Sequence, residues 1–118
     1  MKYLLAIYGD ESAQEAAPPE AQEGSMQEWF KFSEDLGNAV TVLGGEGLHP
    51  TSTATTVRMR DGSIVTSDGP FAETKEQLGG FYLIDVPNLD KAIEWANKVP
   101  NLPYGGSVEV RPIQVFEQ

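Results

Sequence analysis

Two stretches of this chain, residues 2–8 and 81–86, are apolar on both sides. Tyr3, Leu5 and Ile7 alternate with Leu4, Ala6 and Tyr8, and Phe81-Tyr82-Leu83-Ile84 repeats the pattern. A strand of that kind is stable only where both of its faces are covered, so each is expected in the middle of a sheet. The chain offers only two helical patterns to do the covering, and two helices shield one face of a sheet. The second face is left apolar, and an uncovered patch of that size marks an interface. A homodimer packing through the open sheet face is therefore expected.

The first helix is read over 26–39. Met26, Trp29, Phe30, Leu36 and Val40 follow helical spacing, with small Ser33 and Gly37 on the same stripe. Ser25-Met26-Gln27-Glu28 has the form of a capping box, in which serine and glutamate satisfy each other's backbone N–H. The second helix opens after Asn88 as N-cap and stops at Pro100. Leu89, Ala92, Ile93, Ala96 and Val99 form its expected buried stripe. Residues 10–24 hold Asp10, Glu11, Glu15, Glu20 and Glu23, no basic residue, and Pro18-Pro19. They read as a solvated loop; calcium-loop spacing is absent.

Residues 54–66 read as a hairpin, with Asp61-Gly62 as a two-residue turn. That turn pairs Arg60 with Ser63, Met59 with Ile64 and Arg58 with Val65. Val57 and Met59 then share one face, and Arg58 and Arg60 the other. Residues 107–116 read as the last strand, with Val108 and Val110 on one side and Glu109, Arg111, Ile113 and Val115 on the other. Pro112 cannot donate to a ladder, so an edge position or an interruption is expected there. The order is that of one α+β domain over 1–118. It is a ferredoxin-like βαββαβ unit with an inserted β-hairpin, an antiparallel sheet with two helices on one face.

Charge and composition exclude several functions. Eight basic against eighteen acidic residues leave a net charge of −10, which repels nucleic-acid backbones, so no direct nucleic-acid partner is expected. There are no cysteines, hence no disulfide, thiolate metal site or cysteine nucleophile. No run approaches the roughly 18 apolar residues of a membrane span, and the N-terminus lacks a signal-peptide cleavage site. A cytoplasmic protein without a membrane partner is expected. His49, the single histidine, precedes Pro50 and has no companion ligands, so no metal and no cofactor are expected. No G-x-S-x-G, P-loop or dinucleotide fingerprint occurs. Gly44-Gly45-Glu46-Gly47 is not followed by a helical pattern.

The densest polar motif is Asp68-Gly69-Pro70-Phe71-Ala72-Glu73-Thr74-Lys75-Glu76. Asp68 is either a turn-former bonding its own backbone or a general base. Glu73 and Glu76 beside Lys75 are a solvated cluster or part of a pocket rim. Arg58 and Arg111 either pair with Glu109, Glu46 or Asp68, or hold a small anionic ligand. The candidate catalytic residue is Asp68. The candidate binding residues are Arg58, Arg111, Glu46, Glu73 and Tyr82.

These residues carry a resemblance. Asp68-Gly69-Pro70-Phe71 with its following Ala72–Glu76 resembles the signature of the DGPF group of YCII-related proteins. Gly45-Glu46-Gly47-Leu48, Ala54-Thr55-Thr56-Val57-Arg58, Gly80-Phe81-Tyr82-Leu83-Ile84 and Val108-Glu109-Val110-Arg111-Pro112 are similar to its other blocks. The resemblance implies a dimeric α+β barrel of ferredoxin-like protomers, with a cleft between sheet and helices or at the dimer seam. Its superfamily includes small lactone isomerases, dehydrochlorinases and monooxygenases. A histidine–aspartate pair proposed as catalytic in some members does not carry over, because the region near Glu28 and Trp29 holds no histidine. DGPF proteins also occur beside or fused to extracytoplasmic-function sigma factors, which implies a signalling role. Two functions stand open at this point: a small-ligand-binding or regulatory homodimer, and a cofactor-independent lyase or isomerase with Asp68 as base.

Overall fold

Asp10 converts the end of the first strand into the start of a helix. In the computed structural model, which describes residues 1–116, β1 (Lys2–Gly9) runs directly into α1 (Glu11–Ala16). The Asp10 carboxylate caps α1 by accepting from the N–H groups of Ser12 and Ala13. A second helix, α2 (Pro19–Ala39), follows almost at once. The loop expected over 10–24 is thus helical for most of its length. Pro19 is not a breaker here, because it occupies the first turn, where its missing N–H is an orphan in any case and its fixed φ suits the helix. Ser25 and Glu28 lie inside α2, so the expected capping box does no capping.

The remaining elements are β2 (Thr41–Gly47), β3 (Thr55–Arg60), β4 (Ser63–Asp68), β5 (Gln77–Asp85), α3 (Leu89–Ala96) and β6 (Ser107–Pro112). Four strands form one antiparallel sheet in the order β2-β5-β1-β6. The fold is α+β and ferredoxin-like, with the two doubly apolar strands in its centre. Pro112 ends β6 at the sheet edge, opposite Tyr3. The expected continuation of that strand to 116 does not form, because a proline leaves the ladder without a donor.

Register assigns the faces, since directly opposed residues project to the same side. Tyr3, Leu5, Ile7, Ile84, Val108 and Val110 face the helices. With Phe32, Leu36, Ala92, Trp95, Ala96 and Val99 they form the core. Phe32 sits at its centre, edge-on to Trp29, Tyr82 and Trp95 at 5.6–6.3 Å between ring centroids. On α2 the inward side is Phe32 and Leu36, whereas Met26 and Phe30 are exposed. On α3 the helix is rotated from the expected stripe: Trp95 is buried, while Leu89 and Ile93 are largely exposed. Trp95 buries the larger ring, and that area outweighs Ile93.

The opposite face carries Leu4, Ala6, Tyr8, Phe81 and Leu83 at its centre. Glu46, Asp85, Glu109 and Arg111 flank them. No helix among the described residues covers this side, and none is long and apolar enough to cross a membrane.

The hairpin forms in the expected register, with Arg60 opposite Ser63, Met59 opposite Ile64 and Arg58 opposite Val65. Asp61 and Gly62 both take positive φ, 50° and 79°, as a two-residue turn of this kind requires. The ribbon is not hydrogen-bonded into the four-stranded sheet.

Candidate functional site

An open cleft of about 1320 Å³ lies between one flank of α2 and the strands β2 and β5, with α1 and the 101–106 segment at its ends. Small residues make the room. Ser33 and Gly37 of α2 line it, as do the glycines of β2. Gly45 is required there, because a Cβ would stand 2.8 Å from the Tyr82 ring and 3.0 Å from the Phe81 carbonyl.

Two hydroxyl contacts shape the cleft. Ser33 and Tyr82 share a hydrogen bond of 2.5 Å between α2 and β5. Packing of the Tyr82 ring against Phe32 holds that phenol in place. The Tyr104 hydroxyl donates to Glu28 at 2.9 Å, tying the 101–106 segment to α2. Asn101 beneath it donates its amide to the carbonyls of Tyr8 and Ser107. At the other end Glu11 anchors α1. Its N–H donates to Gln77, and its carboxylate accepts from both the N–H and the hydroxyl of Thr51.

The lining carries the carboxylates of Asp10, Glu11, Glu15 and Glu28, and no lysine, arginine or histidine. Such a field favours ligands that donate hydrogen bonds or carry positive charge. The described residues hold no group of three histidine, cysteine or carboxylate side chains placed to bind a metal ion.

The hydrogen bond to Glu28, reinforced by its negative charge, holds the Tyr104 phenol above the ordinary tyrosine range. Folded, the group ionises at higher pH than in the unfolded chain. The contact therefore supports the fold below the ordinary tyrosine range and is lost as pH rises through the raised value. Titration of phenolate absorbance is expected to show a late-ionising tyrosine, and Glu28→Gln is expected to return it to the ordinary range. A wild-type curve unchanged by Glu28→Gln would disprove the coupling.

Of the candidates named from sequence, Tyr82 lines the cleft with its side chain, whereas Glu46 borders it through its strand and shares the uncovered face with Phe81. Asp68 ends β4, exposed, opposite Thr55. Arg58 lies on β3, where its guanidinium donates to the Phe71 carbonyl at 2.5 Å. Arg111 is on the uncovered sheet face opposite Leu4, and Glu73 is exposed between β4 and β5. Asp68, Arg58, Arg111 and Glu73 are thus outside the cleft. Sequence reasoning missed Glu28, Ser33, Asn101 and Tyr104. Only Ser33 left a signal, as a small polar residue interrupting an apolar helical stripe.

The signature segment has its own geometry. Gly69 takes a positive φ of 93°, and its N–H donates to Ala54 at 2.7 Å. Thr56 donates its hydroxyl to the Gly69 carbonyl at 2.8 Å. Together with Arg58 and Phe71, these bonds pin the turn to the root of the hairpin. The family model of the YCII-related domain matches residues 1–117, essentially the whole chain. The chain belongs to the YCII-related family. A relative of this YCII-related protein has a similar length. It is an uncharacterised protein of Rhizobium meliloti (strain 1021), 40% identical over 118 residues, covering 99% of this chain and 95% of the relative.

Proposed function

We propose that this YCII-related protein is a homodimeric small-ligand-binding protein whose cleft takes a neutral or cationic molecule rich in hydrogen-bond donors. The observation that carries the reading is the composition of the cleft wall: carboxylates, hydroxyls and apolar rings, with no basic side chain. An anionic ligand would meet like charge there. Dimerisation is supported by the uncovered sheet face, where Leu4, Tyr8, Phe81 and Leu83 stand without a helix above them. The placement of Asp68 favours binding over general-base chemistry, since a base must reach the bound molecule.

The test is a calorimetric panel of small primary amines and their matched carboxylates. Amines are expected to bind and carboxylates not. Tyr82→Phe or Ser33→Ala removes one hydrogen-bonding group and is expected to weaken binding about fivefold. Asp68→Asn is expected to leave affinity and melting temperature unchanged. Preferential binding of the carboxylates would refute the proposed ligand class.

A further inference from the structure

The hairpin β3–β4 is the least supported part of the molecule. It is a two-stranded ribbon of twelve residues, all exposed except the half-buried Thr56. An isolated ribbon of this kind is marginal in water. Yet its residues are not those of a solvated loop. Register places Val57, Met59 and Ile64 on one face, and they are 62%, 65% and 68% exposed. Phe71, at the root, is 75% exposed. The three ribbon side chains present on the order of 350 Å² of apolar surface, the size of patch that marks an interaction site.

The ribbon does not fold back on its own sheet. The molecule measures 49 × 48 × 18 Å. Eighteen ångströms is the thickness of one sheet and one helix layer, about 10 Å apart. The arm therefore extends within the plane of the slab, about 20 Å long at strand geometry. The turn that pins it is the signature itself, through Gly69 to Ala54, Thr56 to Gly69 and Arg58 to Phe71.

We propose that β3–β4 is an arm that crosses to a second copy of this chain and lays Val57, Met59 and Ile64 on its uncovered sheet face. The inference rests on the dimer reading above and gives it a geometry. With each arm in the plane of its slab, two slabs stacked by their open faces and offset along that plane set each arm over the part of the partner's face that the stack leaves free, and a two-fold axis makes the two contacts equal. Two arms, each covering an equal area of the partner, bury on the order of 1,400 Å², within the range of stable dimers. Asp68 is on the same ribbon face as Val57 and Met59, which brings the signature carboxylate to the rim of the contact.

The chain has no cysteine, so one can be placed without background. The experiment mixes isotopically light and heavy Met59→Cys protein, labels the introduced thiol with benzophenone maleimide, photolyses it and maps the products. Mixed-isotope cross-links from the labelled position to peptides of β1 or β5 are expected. In parallel, Val57→Glu with Ile64→Glu is expected to weaken dimerisation about 100-fold or more, with circular dichroism unchanged. If the double variant remains dimeric and no mixed cross-link forms, the arm is overturned while the dimer stands. If the wild type sediments as a monomer, both readings fall.

Discussion

Phe32→Ala will remove about 4 kcal/mol of stability, and Phe32→Leu about 1–2 kcal/mol. Phe32 is 5% exposed and stands edge-on to three other aromatic rings. Truncation opens a cavity that the rigid neighbouring rings cannot refill. Leucine restores most of the volume and loses the edge-to-face contacts. For a chain of this length the alanine variant should melt about 10–20 °C lower, as read by calorimetry. The same change reaches the cleft, because Phe32 holds Tyr82 and Tyr82 holds Ser33. Ligand affinity should thus fall even at temperatures where the variant is folded. A melting temperature within about 3 °C of wild type would mean that Phe32 is not the keystone of this core.

Gly80→Ala is the second large effect, and it acts by overpacking. A Cβ at Gly80 would stand 2.9 Å from the Glu46 carbonyl and 3.4 Å from the Gly47 Cα. Both are backbone of β2, so no side chain can rotate away. Either β2 shifts outward or its pairing with β5 breaks, at about 1–3 kcal/mol. Since β2 walls the cleft, the variant should also lose ligand affinity. Gly79→Ala is the control. Its Cβ meets only the Ile7 carbonyl at 4.0 Å, and a change within about 0.5 kcal/mol is expected by urea denaturation. Equal effects at both positions would point to strand propensity rather than to the contact with β2.

The features that could be read from sequence are those set by local chemistry. Asp61-Gly62 admits the positive φ of a tight turn, and once the turn is known every pair in the ribbon follows. The doubly apolar strands had to be central, and they are. Pro18-Pro19 misleads because proline is both a breaker inside a helix and a starter at its first turn; Glu20 in that first turn supports the second role here. Ser25 and Glu28 satisfy a capping spacing that any helix interior can contain. Ile93 and Trp95 differ by two positions, and the choice between them depends on what the sheet presents to α3. The cleft was least legible. Tyr104 and Glu28 are 76 residues apart, and Ser33 and Tyr82 are 49 apart, so only the finished fold brings them together. Nor can spacing tell whether the Asp68 turn faces a cavity or the root of a ribbon.

The two rims of the main sheet bear on how such a molecule can polymerise. One outer strand ends in Pro112, and the other is kinked by an extra residue between Val42 and Gly44. A missing donor and a broken hydrogen-bond ladder both discourage another chain from adding as a further strand. Growth into a continuous ribbon or fibril is thus disfavoured at both rims, and the surface left open to another chain is the broad side of the β layer.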